Sequence, residues 1–215
     1  MSEKSVETAG FKTLFLYLYK LKIAIFSDCA ISKENRPLQS VNFYTKYVTM
    51  QKVGIFFGSS TGNTEAVANT LKEKLGEAEV FDVSSVKPEK MAEFANIILG
   101  TSTWGVGDLQ DDMLEFAEGI AGVDLKGKVI ALFGLGDQSG YGDTYCDGMG
   151  DLYEKVKGKG CKVVGFVSTE GYDFASSRAA DGNEFVGLAL DVANQDDLTE
   201  GRIDAWVAEL KKQFV

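Results

Sequence analysis

The chain has 215 residues, 45% hydrophobic and 25% charged, the make-up of an ordinary globular protein with room for one well-packed α/β domain. Its formal net charge of −10 is unevenly spread: residues 1–49 hold seven basic and four acidic residues, a net +3, and the remainder holds 15 basic and 28 acidic, a net −13. A body this acidic disfavours nucleic acid and anionic membranes as partners, and the lack of any histidine excludes the usual serine or cysteine triad and most transition-metal sites.

On charge alone, solubility is the plainer reading of the acidic surplus. Cys29, Cys146 and Cys161 lie far apart with no ligand spacing. Such a sparse, odd set fits a reducing compartment and no disulfide framework or zinc site. Redox chemistry stays open, because a cofactor can supply it.

The first 49 residues differ in character from the rest of the chain. "FKTLFLYLYKLKIAIF" (11–26) is strongly apolar but interrupted by Lys12, Lys20 and Lys22. It falls short of the ~20 apolar residues that a membrane span needs. It has no clean small-residue cleavage site, and Glu3, Glu7, Asp28 and Glu34 are out of keeping with a transit peptide. A leader, a docking element, or vector-derived or upstream-translated sequence are all compatible with it. The division expected is 1–49 as an N-terminal extension and 50–215 as the functional domain, with Met50 at its start.

From Met50 onward strand-like and helix-like segments alternate. "KVGIFF" (52–57) is a continuous apolar run, as in a strand buried on both faces. "NTEAVANTLKEKLG" then places Ala66, Val67, Leu71 and Leu75 at helical spacing and stops at Gly76. Strands are predicted over 78–83, 96–102, 128–134 and 161–167. Helices are predicted over 87–95, opened by Pro88, and over 110–122, 148–160 and 200–214. The long connection from Ser168 to Thr199 contains "FVGLALDV" (185–192), which reads as one more strand in an edge insertion. Five strands alternating with five helices give a doubly wound parallel sheet with helices on both faces. Ligands of such sheets bind beyond the carboxyl ends of the strands, which points to the loops at 58–63, 101–109 and 134–147.

The first of these loops sits between a strand and a helix, where free N–H groups and the helix dipole attract anions. Its sequence "GSSTGNT" offers hydroxyls and an amide but no cation. Its two glycines are one residue too close for a nucleotide P-loop, and Asn63 stands where that motif has lysine. Such a loop suits a phosphate that is held and not transferred. It suits a Ser/Thr-rich helix cap with no ligand equally well. The second loop, "TSTWGVGDLQ" (101–110), carries Trp104, and the third, "GLGDQSGYGDTYCDG" (134–148), carries Tyr141 and Tyr145. Large aromatics on glycine-rich loops make good walls for a flat ring, although a single one commonly packs onto its own loop. All three loops at one sheet edge favour the ligand.

These three stretches, in order and at family spacing, resemble those of flavodoxins, the small electron carriers that bind FMN without a covalent link. The resemblance covers Met50 to Val215. It implies a flavodoxin-like doubly wound five-stranded parallel sheet in the order 2-1-3-4-5, with the long-chain insertion in the strand-five region after Gly171. It also implies that Ser59, Ser60, Thr61, Gly62, Asn63 and Thr64 hold the FMN phosphate, and that Trp104 and Tyr141 sandwich the isoalloxazine. The backbone through Thr101, Ser102, Thr103, Gly105 and Gly107, and through Leu135, Gly136 and Asp137, would meet the ribityl chain and the ring edge. Asp147 matches an acidic position near the ring.

In that family the peptide after the tryptophan turns over on reduction. Gly105 lowers the backbone cost of such a turn, so a well-stabilised neutral semiquinone is expected. Asp108, Asp111, Asp112, Asp137, Asp143 and Asp147 lie in or beside the ring loops, where repulsion would lower the second potential unless they act as caps or are screened. Neutralising Asp137 and Asp147 together is expected to raise that potential. The resemblance further implies transient docking on partners with a basic surface: ferredoxin-NADP reductase, other ferredoxin-dependent redox proteins or photosystem I, met by a monomer in the cytoplasm or the plastid stroma.

Two rivals share the fold type. An FMN-dependent quinone or NAD(P)H reductase needs a second pocket over the flavin, which a stacked Tyr141 obstructs. A response-regulator receiver needs a phosphoacceptor Asp at the end of strand three, where this chain has Gly100, Thr101 and Ser102.

Overall fold

The computed structural model describes residues 50–215. The expectations about residues 1–49 lie outside the described residues.

The central sheet is built on β1 (Val53–Phe57), β2 (Ala78–Asp82), β3 (Asn96–Trp104) and β5 (Val129–Leu135). A two-residue strand, β4 (Asp108–Leu109), folds back antiparallel on the end of β3. Every residue of β1 and β5 is buried, as their unbroken apolar runs predict. Alternation sorts the side chains to two cores. Phe56, Ile97, Leu99, Ile130 and Leu132 face one side, and Ile55, Phe57, Ile98, Ala131 and Phe133 face the other.

Each core is closed by a helix pair. On the second face lie α1 (Asn63–Leu75) and α4 (Asp196–Gln213), presenting Val67, Leu71, Trp206 and Leu210. On the first face lie α2 (Asp111–Gly119) and α3 (Asp147–Val156), presenting Met113, Phe116, Met149 and Leu152. Burying a side chain such as Leu71 contributes about 2 kcal/mol, so the two apolar stripes supply much of the drive for docking.

The strand order is β2-β1-β3-β5 followed by β10 (Leu188–Leu190), all parallel, which is the expected order 2-1-3-4-5. The fifth position is occupied twice. β6 (Lys162–Val164) pairs with the first half of β5, Val129 to Ala131, and β10 pairs with the second half, Phe133 to Leu135. The segment read as a separate edge strand is therefore the carboxyl half of strand five. The insertion begins before Gly171, directly after Val164, and holds a small antiparallel sheet of β7 (Val167–Ser168), β8 (Ala180–Asp181) and β9 (Glu184–Phe185). Gly187 permits the return, because a Cβ there would collide with the Leu132 carbonyl oxygen.

Two further boundaries differ from expectation. Residues 87–95 form a short 3-10 helix over Pro88–Glu93 and no α-helix. Its apolar anchors, Met91 and Phe94, are three residues apart and both buried, which suits three residues per turn. The helix expected to run to Lys157 and beyond stops at Val156, where the chain turns toward β6. Among the described residues no helix is long and apolar enough to cross a membrane, and no cluster of metal-ligating side chains occurs.

Candidate functional site

At the carboxyl edge of the sheet, the loops after β1, β3 and β5 surround one cleft of about 290 Å³. Thr61 and Asn63 stand at one end, and Trp104 and Tyr141 at the other. Ser102, Thr103 and Gly105 contribute from β3, and Leu135, Gly136 and Asp137 from the end of β5. The three loops singled out in the sequence thus meet at one place. No lysine or arginine is among the cleft's lining residues.

The Thr61–Asn63 end is organised locally. Gly62 takes a left-handed conformation (φ 87°) just ahead of α1, and its N–H donates to Ser59 Oγ at 3.1 Å. Ser60 Oγ accepts from Gln110 Nε2 at 3.3 Å. The side-chain oxygens of Ser59 and Ser60 are therefore engaged within the protein, and neither lines the cleft. Thr64 is buried beneath the first turn of α1. No side chain among the described residues caps α1, so its first N–H groups have no side-chain partner there, beside Thr61 and Asn63 of the cleft lining. A loop serving only as a helix cap would have used a hydroxyl there.

The aromatic end is open to solvent on one side. Trp104 is 43% exposed and Tyr141 61%. The indole of Trp104 is oriented by its Nε1–H, which donates to Ser102 Oγ at 2.8 Å. Trp104 begins a tight turn closed by the Gly107 N–H donating to the Trp104 carbonyl at 3.1 Å, with φ of 53° at Gly105 and 99° at Gly107. Thr103 Oγ1 accepts from the Gly148 N–H at 3.2 Å, tying this strand end to α3. Thr101 is fully buried and donates its hydroxyl to the Ser102 carbonyl.

Tyr145 departs from expectation. It is fully buried, packed against Tyr172, Phe174 and Phe185 of the insertion, so it is core and no wall of the cleft. Its hydroxyl has no hydrogen-bond partner among the described residues, and burial raises its pKa far above the usual range. The neighbouring Cys146 is equally buried, which pushes its thiol up to about 12.

Of the six acidic residues expected near the ring, only Asp137 lines the cleft. Its Oδ1 accepts from the N–H groups of Gly140 (2.7 Å) and Ser139 (3.0 Å) and from Asn194 Nδ2 (2.8 Å). The Gly140 N–H, then Asn194, hold its carboxyl below the usual range. Asp111 and Asp112 lie in the first turn of α2. Asp147 is set behind the Trp104–Gly107 turn and away from the cleft wall. Its buried carboxylate accepts from the Arg178 N–H at 2.6 Å and lies 3.3 Å from Arg178 Nη1. Its charge is thereby countered, so the combined effect expected from Asp137 and Asp147 rests mainly on Asp137.

Several contributors carry no local sequence signal. Thr144, Val192 and Ala193 complete the lining. Asp191, fully buried at the end of β10, accepts from the N–H groups of Gln138 and Asn194, each at 3.0 Å, and from Asn194 Nδ2. It fixes the loop that carries Asp137 and Tyr141. Recognising 185–192 as half of strand five would have placed Asp191 at the binding edge.

Known proteins with this arrangement are similar over the whole described region. The family model for flavodoxin matches residues 55–206. The flavodoxin of Nostoc sp. is 44% identical over 166 residues, covering 76% of this chain and 98% of that protein. The flavodoxin of Helicobacter pylori is 45% identical over 165 residues, covering 77% and 99%. Among solved structures, Fusobacterium nucleatum flavodoxin bound to flavin mononucleotide superposes with a TM-score of 0.73 at 36% identity, covering 77% of this chain and all of that one. Matches this complete, across a sheet whose order and cleft were already in place, mean that the chain belongs to the flavodoxin family.

Proposed function

We propose that the cleft holds FMN, with its phosphate at the Ser59–Thr64 loop and its ring between Trp104 and Tyr141. The observation that carries this reading is the cleft itself: uncapped N–H groups beside Thr61 and Asn63 and two exposed aromatics, Trp104 and Tyr141, joined by Ser102–Gly105 and Leu135–Asp137. An anionic tail fits the first end, and a flat, partly apolar ring fits the second.

FMN supplies the redox chemistry, taking up electrons one at a time, and the protein is a carrier and no enzyme. Its residues bind and orient the group. Thr61, Asn63 and the first N–H groups of α1 receive the phosphate without a mobile cation, since nothing is transferred from it. Ser102 presets the Trp104 indole before the ring arrives, which lowers the ordering cost of binding. The ionised Asp137 beside the ring disfavours added negative charge there and so favours a low potential for the second electron.

The carrier delivers electrons to other redox proteins through the exposed ring edge. Its acidic surface suits weak, electrostatically steered encounters with basic faces. Ferredoxin-NADP reductase, other ferredoxin-dependent proteins and photosystem I are the partners proposed, met by a monomer. The setting is the cytoplasm, or the plastid stroma where residues 1–49 act as a transit peptide.

The test is titration of apoprotein with FMN followed by stepwise reduction under absorbance. Binding of one FMN per chain and reduction in two resolved one-electron stages are expected. Lack of binding, or rapid oxidation of NADPH with no partner protein present, would overturn the reading.

A further inference from the structure

Arg178 lies in the insertion between β6 and β10, 71 residues along the chain from the turn it touches. Asp151 on α3 fixes the plane of its guanidinium, with Nε donating to Oδ1 at 3.0 Å and Nη2 to Oδ2 at 2.9 Å. Such a paired fork holds both position and angle. Held this way, Nη2 also donates to the carbonyl of Gly107, and Nη1 sits beside the buried carboxylate of Asp147.

Gly107 is the last residue of the turn that carries Trp104 and Gly105 into the cleft. Its φ of 99° is one that side-chain-bearing residues rarely adopt. A Cβ at Gly107 would stand 2.8 Å from Asp147 Oδ2 and 3.3 Å from both Nη1 and Nη2 of Arg178. The turn is therefore closed on one side by its own Trp104–Gly107 bond and clamped on the other by a cation from a distant segment. A tether joining the insertion to α3 needs only Asp147 and Asp151. The bond to the Gly107 carbonyl reaches further, to the ring end of the cleft.

We propose that Arg178 is a positioning residue for the FMN ring, holding the Trp104–Gly107 turn in its binding conformation so that the insertion governs how tightly the cofactor is held. This rests on the reading of the cleft as the FMN site. Arg178 lines no part of the cleft and acts through the turn. Without the clamp the turn samples other conformations, and the apparent affinity falls by the fraction of time the competent one is absent. Lysine is no substitute, because one ammonium cannot grip Asp151 through a planar fork while reaching Asp147 and Gly107.

The test uses the full chain as apoprotein, with two readouts: FMN affinity by quenching of flavin fluorescence, and hydrogen exchange of the Gly107 amide. Arg178→Ala is expected to weaken FMN binding roughly tenfold and Arg178→Lys by a few-fold. In both, Gly107 exchange speeds up while the amides of β1 and β3 keep their protection. Unchanged affinity and unchanged Gly107 exchange would overturn the proposal, whatever the loss in thermal stability, and leave Arg178 as a tether. Should Arg178→Ala fail to fold, Arg178→Lys decides on the same readouts. If the unaltered protein itself binds no FMN, the reading of the cleft falls, and Gly107 exchange in the apoprotein still decides whether the clamp exists.

Discussion

The two ends of the cleft are held in place by different means. At the Thr61–Asn63 end the organising bond is short in sequence, from Gly62 back to Ser59, and the helix after it supplies the rest. At the aromatic end both loops depend on residues far along the chain: Arg178 for the turn at Trp104, and Asp191 and Asn194 for the loop at Asp137. A loop that only has to offer N–H groups needs little from outside, here one bond from Gln110 to Ser60. A loop that has to hold a large, half-exposed aromatic steady needs bracing from outside.

The sharpest way to break this contrast is at Asp191. Replacing it with alanine leaves the buried N–H of Gln138 and the N–H of Asn194 without their acceptor, while Asn194 Nδ2 keeps Asp137, so Asp191→Ala should destabilise the fold by about 2 kcal/mol. Urea unfolding measures that loss, and FMN binding should weaken with it. At the other end, the ligand can be altered in place of the protein. Riboflavin lacks the phosphate and should bind roughly a hundredfold more weakly than FMN, as fluorescence titration would show. Equal affinity for the two would mean that the phosphate end contributes nothing.

A smaller effect is expected of Ser59→Ala, about 1 kcal/mol in thermal or urea unfolding, because a single local bond is lost. The aromatic end should be left unaltered. The smallest effect concerns acid. Asp137 has a folded-state value below its ordinary one, so its contribution is present above the unfolded carboxylate value and is lost as pH falls through the folded one. That window lies below about pH 4. Asp137→Asn should flatten the melting temperature between about pH 4 and pH 2, modestly, since the group is only half-buried.

The same contrast decides what could be read from the sequence. The apolar runs of β1, β3 and β5 are buried on both faces, and such runs declare themselves without knowledge of their neighbours. The spacing of Gly58, Gly62 and Asn63, and of Trp104 and Tyr141 on glycine-rich loops, is likewise local. Tyr145 is not separable from Tyr141 in this way. They sit four residues apart on one loop, and only the arrival of Tyr172, Phe174 and Phe185 makes one of them core. Arg178 and Asp191 are invisible for the same reason, because the bonds that tie them to the cleft loops, from Arg178 to Gly107 and from Gln138 to Asp191, span 71 and 53 residues. Strand five misleads because its two halves are separated in the chain by the insertion, so each looks like a complete short strand.

The divided strand also bears on how the architecture can be edited. Val164 stands opposite Ala131, and Leu188 opposite Phe133, so along β5 only the place opposite Leu132 separates the two halves. A single linking residue would join them into one continuous strand. The parcel from Gly165 to Gly187 is thus excisable in register, and cutting it out would spare the hydrogen-bonding line of the sheet while deleting Arg178.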